Sequence, residues 1–256
     1  MILAIDAGNT MTKFGLFDKS RLTALHKTAT KTEKTSDDWS FFILNALLAN
    51  GKTSGDITGV IISSVVPQID AYLGEACEKA LNISPIFVSH RVKTGIVLDT
   101  DDPSEVGADR ICAAQAAAHY HGKPVIVANF GTATCYDLVD ERGHFCAAVT
   151  SPGLKTAAES LWGKAARLDK VELKAPESIL ARNTNDSLQA GVVYGCVGQT
   201  EYIINKLKEA SGCGNAVVVG CGGYSDIIAT HTDVIDIIDK DLIMKGLLLI
   251  YDENRA

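Results

Sequence analysis

The chain has no apolar run approaching the roughly 18 to 20 residues that a bilayer-spanning helix needs, so its 256 residues are expected to form a soluble protein. It has no block of lysine and arginine, and its formal charge is −7. A nucleic-acid surface therefore has little electrostatic support, and a small anionic ligand would have to be met by a local basic residue. The seven cysteines, at 77, 112, 135, 146, 196, 213 and 221, form no close C-x-x-C pair and have no matching histidine cluster. Reduced, mostly buried thiols are expected, not a zinc site. The G-x-x-x-x-G-K-[ST] signature of a P-loop is also missing. The opening residues, Met1-Ile2-Leu3-Ala4-Ile5-Asp6, carry no basic leader and read as a buried strand, not a signal peptide. No export route is visible, and a cytoplasmic location is expected.

The composition is globular, with 46% hydrophobic and 21% charged residues, and the length suits one large α/β domain or two ordinary ones. Residues 2–5 read as a strand, 6–10 as a small polar turn, 12–17 as a strand, 18–20 as a turn and 21–28 as a third strand. Apolar spacing at Trp39, Phe42, Ile43, Ala46 and Leu47 predicts a helix over 36–49, with Ser36-Asp37 as its start signal. A buried strand over 59–66, broken by Pro67, a helix over 69–81 and a short strand over 85–88 make a βαβ unit. Residues 105–110 lead into an alanine-rich helix over 111–120. The punctuation His121-Gly122-Lys123-Pro124 marks a domain boundary, dividing 1–117 from 118–256.

Beyond that boundary the first pattern returns. A strand over 125–128 is followed by Asn129-Phe130-Gly131-Thr132-Ala133, a strand over 134–139, a turn over 140–143 and a strand over 144–150. Asp6-x-Gly8-Asn9-Thr10 and Asn129-x-Gly131-Thr132 thus occupy equivalent places in two copies of one unit. A third turn, Gly220-Cys221-Gly222-Gly223, lies between an apolar run over 216–219 and a helix expected over 224–229. Glycines let a backbone approach phosphate oxygens and expose N–H donors. Any one turn could be ordinary hairpin glycine, but the repetition favours three turns facing one cleft.

Asp6 ends a buried strand, where an unpaired carboxylate is costly unless it meets a cation or donors. Magnesium held directly or through water would offset that cost, and turn capping is the alternative. Asp109 stands at a helix start, where the ionised form is favoured, and simple N-capping is its rival role. Arg110 could hold a substrate carboxylate or phosphate, or pair with Glu105.

Taken together, Asp6-x-Gly8-Asn9-Thr10, Ser63-Ser64-Val65-Val66-Pro67, Lys93-Thr94-Gly95, Gly107-Ala108-Asp109-Arg110, Phe130-Gly131-Thr132-Ala133-Thr134 and Ser151-Pro152-Gly153 resemble the type III pantothenate kinases. Asn183-Thr184, Gln189-Ala190-Gly191, Tyr194-Gly195, Lys245-Gly246-Leu247 and Tyr251 extend the resemblance to about residue 254. It implies the duplicated ribonuclease H-like fold of the actin-like ATPases, an α/β fold with mixed sheets and a nucleotide cleft between two halves. It also implies a homodimer that uses ATP and Mg2+ to phosphorylate the primary hydroxyl of pantothenate, the first step of coenzyme A synthesis, with K+ or NH4+ as a further ion. Neither nucleic acid nor membrane is implied as a partner.

By position, Asp6, Ala7, Gly8, Asn9, Thr10, Met11, Thr12 and Lys13 would line the ATP phosphates, with Asp6 as the magnesium carboxylate. Thr132 would contact ATP, and Asn129 would meet the monovalent cation. Thr100, Gly107, Ala108, Asp109, Arg110 and Thr184 would meet pantothenate, with Asp109 as general base. The chain departs from the family where Asn129 replaces an Asp, where Thr100 replaces a Tyr, and where Cys146-Ala147-Ala148 replaces paired glycines. Weaker potassium binding is expected from the first. The rival reading is a paralogue that keeps the fold as a nucleotide-binding accessory or regulatory protein, or as a kinase of another small alcohol. A nucleotide-gated interaction protein of the actin or Hsp70 type is a third.

Overall fold

A computed structural model describes residues 1–162 and 170–255. The chain divides into two compact units, one made of Met1–Gly95, Asp101–Ala116 and Leu242–Ala256, the other of Ile96–Thr100 and Ala117–Asp241.

In the first unit, β1 (Ile2–Ala7), β2 (Met11–Asp18), β3 (Arg21–Ala29), β4 (Gly59–Ser64) and β5 (Ile86–Phe87) form a sheet of order β3-β2-β1-β4-β5. The three hairpin strands are antiparallel, and β4 and β5 continue the sheet in parallel. Period-two alternation sends Leu3, Ile5, Phe14, Leu16, Val60 and Ile62 into one core, where they meet Trp39, Ile43 and Leu73 of α1 (Ser36–Ala49) and α2 (Pro67–Leu81). Thr35, one residue before the expected signal, caps α1. Its hydroxyl accepts the Asp38 N–H, and the Asp38 carboxylate accepts the Thr35 N–H. Pro67 opens α2, because a first helical residue has no use for its N–H, so β4 stops at Ser64, short of residue 66.

The same alternation turns Asp6, Lys13, Gly15, Ile61 and Ser63 to the opposite face of the sheet. The C-terminal helix (Leu242–Asn254) packs on β1 and β4. A Cβ on Gly15 would lie 2.9 Å from Met244 Sδ, and one on Gly246 would lie 1.9 Å from the Cys112 carbonyl oxygen. Cys112 belongs to α3 (Ala108–His121), so Gly246 lets two helices touch backbone to backbone. For this reason the C-terminal helix groups with the first unit, whereas a division into 1–117 and 118–256 assigns it to the second.

The second unit holds β6 (Val97–Leu98), β7 (Val125–Phe130), β8 (Ala133–Val139), β9 (His144–Pro152), β10 (Val217–Cys221) and β11 (Ile237–Ile238), in the order β11-β10-β7-β8-β9-β6. The run β9-β8-β7-β10-β11 repeats β3-β2-β1-β4-β5 strand for strand, with the same antiparallel and parallel pairings. Even the register irregularity recurs, between Leu16 and Phe17 in one unit and between Leu138 and Val139 in the other. β6 is an added parallel strand on β9. The core gathers Ile126, Ala128, Tyr136 and Leu138 with side chains of α4 (Leu154–Trp162) and α5 (Thr184–Ser211), and Ile228 of α6 (Ser225–Ala229). Asn183 caps α5 by accepting the Asp186 N–H at 2.9 Å, and Gly212 ends it at φ +73°.

The seven cysteines form no disulfide among the described residues, and five of them are buried. No helix among the described residues is long and apolar enough to cross a membrane.

Candidate active site

The turn after β1 is drawn tight by its own backbone and by Thr30. The Gly8 N–H donates to the Met11 carbonyl at 3.1 Å, the Thr30 N–H to the Thr10 carbonyl at 3.0 Å, and the Thr30 hydroxyl to the Gly8 carbonyl at 2.6 Å. Thr12, fully buried, shares a 2.8 Å hydroxyl contact with Thr30. Asn9, Thr10 and Met11 are left exposed at the tip. One residue before the turn, Asp6 is 4% exposed. Its Oδ2 accepts from Lys13 Nζ at 3.0 Å, as the ladder dictates by pairing residue 6 with residue 13. On its other side the ladder pairs Asp6 with Ser63. Asp6 therefore has a cationic partner within the protein.

Asp109 does not stand at the N-cap position itself. The Gly107 carbonyl accepts the N–H groups of Arg110 and Ile111, so α3 is already helical at Ala108 and Asp109 lies inside its first turn. There Asp109 Oδ1 accepts the Arg110 N–H at 2.9 Å, which holds the carboxylate at the positive end of the helix. A Cβ on Gly107 would stand 2.8 Å from that oxygen, so the glycine makes room for the carboxylate.

Three residues further along α3, Cys112 is completely buried. Burial pushes its thiol well above the ordinary cysteine range, and the carboxylates of Asp6 and Asp109 push it further, with Ser63 as a polar neighbour acting the other way. One thiol thus feels both sequence-predicted carboxylates. Asp6 lies on the sheet and Asp109 on the helix, far apart in sequence. Sequence reading assigns no role to Ser63 or Cys112, although Ser63 opens one of the motifs that carry the resemblance.

In the second unit the loops gather at the end of β7. The Gly131 N–H donates to the Ala133 carbonyl at 3.0 Å, while the Thr132 carbonyl accepts from the Gly153 N–H at 3.1 Å and from the Thr156 hydroxyl at 2.6 Å. A Cβ on Gly153 would meet the Gly131 oxygen at 2.2 Å. Gly222, at φ +89°, comes so close that its Cβ would meet the Phe130 oxygen at 2.5 Å and Asn129 Oδ1 at 2.7 Å. Two expected turns, 129–133 and 220–223, therefore do converge, and the turn at Pro152-Gly153 joins them. Thr100 follows β6 with a buried hydroxyl that has no hydrogen-bond partner among the described residues, and Thr184 is the exposed first residue of α5. Asp6, Lys13, Gly107, Asp109 and Arg110 belong to the first unit, and Thr100, Asn129, Thr132 and Thr184 to the second.

Among the described residues no group of three His, Cys, Asp or Glu side chains is arranged to hold a metal. A magnesium that kept several waters and took one carboxylate plus phosphate oxygens would need only Asp6 from the protein.

Residues 2–206 match a family model described as type III pantothenate kinase. A type III pantothenate kinase from Agathobacter rectalis is 46% identical over 256 residues, covering 100% of this chain and 98% of the relative. Among solved structures, a Campylobacter jejuni protein described as a conserved Baf family transcriptional activator aligns with a TM-score of 0.61 at 21% identity, covering 98% of both chains. A Sinorhizobium meliloti protein described as a 2-dehydro-3-deoxygalactonokinase also aligns at 0.61, with 13% identity, covering 98% of this chain and 95% of its own. At these identities the two structures speak to the fold alone, which is the duplicated ribonuclease H-like fold of the actin-like ATPases. The repeated sheet, the span of the family match and the full-length relative agree: the chain belongs to the type III pantothenate kinases.

Proposed function

We propose that this chain transfers the γ-phosphoryl group of ATP to the primary hydroxyl of pantothenate, giving 4'-phosphopantothenate in the first step of coenzyme A synthesis, with Asp109 as the general base. The observation that carries the assignment of roles is the fixed Asp109 carboxylate in the first turn of α3, with the Asp6 carboxylate held by Lys13 at the end of β1. An alcohol must lose its proton as it attacks phosphorus, and a fixed carboxylate is the usual acceptor in kinases. Asp109 is held for that task by the Arg110 N–H. The Arg110 guanidinium suits the carboxylate of pantothenate, and the hydroxyls of Thr100 and Thr184 suit its polar backbone.

On the nucleotide side, residues 7–12 present a glycine-containing turn, Lys13 a cation and Thr132 a second small-residue turn to the phosphates. Asp6, with a carboxylate at the end of a buried strand, is the residue that fits magnesium. When bound, that ion neutralises charge on the phosphates. Asn129 offers a neutral oxygen to K+ or NH4+, a weaker ligand than a carboxylate. Because phosphoryl transfer passes through a loose transition state, positioning and charge neutralisation contribute more than the base itself. The working form is a cytoplasmic homodimer.

The test is to incubate the purified protein with ATP, magnesium, pantothenate and either potassium or ammonium, and to look for phosphopantothenate by mass spectrometry. Asp109→Asn is expected to lower kcat by about 10²- to 10⁴-fold with an unchanged melting temperature. A variant that keeps most of its activity would remove Asp109 as the base. The neutral Asn129 favours one second reading, a paralogue with another substrate or a regulatory role. No product under either cation, from folded dimeric protein, would support it.

A further inference from the structure

We propose that Ser63 is a positioning residue for the Asp6 carboxylate, resting on the reading of Asp6 as the phosphate-side and magnesium-side acid. Ser63 is the Cα partner of Asp6 across the parallel β1–β4 ladder. Ile5, Ala7 and Ile62 face the α1–α2 core, so alternation turns Asp6 and Ser63 together to the other face, on strands about 4.8 Å apart. Because β1 and β4 run in parallel, both residues stand near the same carboxyl ends, where open sheets of this kind take their ligands.

The Ser63 hydroxyl is 0% exposed and has no nitrogen or oxygen partner among the described residues, only a weak interaction with a thiol. Its polar neighbour on α3 is the Cys112 thiol, a poor donor that itself feels Asp6 and Asp109. A buried hydroxyl without a good partner works against the fold, and alanine would serve the packing at least as well. The hydroxyl has a use in the site instead. Asp6 Oδ2 is held by Lys13 Nζ at 3.0 Å, and an incoming phosphate competes for that same ammonium. Rotation about χ1 lets Ser63 donate to the Asp6 carboxylate, directly or through one water. Asp6 then stays aligned while Lys13 turns toward the phosphate.

The experiment compares wild type, Ser63→Ala and Cys112→Ala in steady-state kinetics, thermal melting, and binding of Mn2+ with ATP followed by electron paramagnetic resonance. For Ser63→Ala the expected result is a kcat lower by about tenfold, an unchanged KM for pantothenate, Mn2+ binding weakened several-fold, and a melting temperature equal to or above wild type. Cys112→Ala should leave kcat and Mn2+ binding near wild type. The proposal is overturned if Ser63→Ala leaves kcat and Mn2+ affinity unchanged. It is equally overturned if activity falls only in step with melting temperature, or if Cys112→Ala reproduces the Ser63→Ala losses, since the hydroxyl would then serve packing or the thiol. Should wild type make no phosphopantothenate, the kinase reading fails, while the Mn2+ comparison still decides the role of Ser63.

Discussion

Where the β1–β2 hairpin sets Asp6 against Lys13, the β7–β8 hairpin sets Asn129 against Cys135 at the equivalent rung. One rung nearer the turn, Thr12 and Thr134 are both fully buried, yet Thr12 meets the Thr30 hydroxyl whereas the Thr134 hydroxyl has no partner among the described residues. Each turn closes through a bond from its glycine N–H to the start of the next strand, although the second turn is one residue shorter. The hairpin framework has thus been kept in both copies, while the ion pair is present in only one. A loop that brings N–H groups to a ligand depends on backbone shape, which a hairpin supplies with many sequences. A carboxylate–ammonium pair depends on two particular residues and on the burial that strengthens it.

The sharpest way to break this comparison is to make the first hairpin resemble the second. Asp6→Asn should lower kcat by about 10²-fold or more, and it removes the carboxylate that Lys13 meets at 3.0 Å. Because the Lys13 side chain is 30% exposed, the stability cost should be roughly 1 kcal/mol or less, read as a small shift in a urea melt. Activity close to wild type would mean that the charge difference between the hairpins has no catalytic meaning.

A second test compares the close approaches in the two units. Gly246→Ala drives a methyl into the Cys112 backbone, and Gly222→Ala drives one into the Phe130 carbonyl at a backbone φ of +89°. Each should lose about 1–3 kcal/mol or more in urea unfolding, with additional strain at Gly222 from its left-handed conformation. Wild-type stability in either variant would show that the packing there is loose.

The smallest expected effect comes from the reverse exchange. Asn129→Asp gives the second hairpin a carboxylate at the Asp6 position and should lower the potassium concentration for half-maximal activity several-fold. An unchanged potassium titration would remove Asn129 from the cation site.

Much of this was legible in the chain. Both three-stranded hairpin units could be read because alternation, glycine and Asp-rich turns act over a few residues. The two glycine turns after β1 and β7 could be read because one pattern occurs twice. Pro67 was read as a breaker, but at a first helical position it is a helix starter, and only the end of β4 distinguishes the two roles. The 28-residue helix Thr184–Ser211 gave no usable signal, since Gly191, Gly195, Gly198 and its β-branched residues weaken propensity and its buried positions give only a slight apolar stripe. Asp109 was legible as a carboxylate at a helix start, but its place inside the first turn was not.

By itself, then, the sequence determined the repeated strand–turn pattern, the location of the turns and the identities of the acids and bases beside them, because each depends on neighbours within one hairpin or one helical turn. Tertiary structure alone decided that Asp6, Ser63 and Asp109 share the surroundings of Cys112, and that the C-terminal helix returns to the first unit. Those outcomes rest on sheet register and on a glycine that lets two helices meet, contacts between residues far apart in the chain. No local pattern encodes them, because their free energy arises only when the distant segments pack.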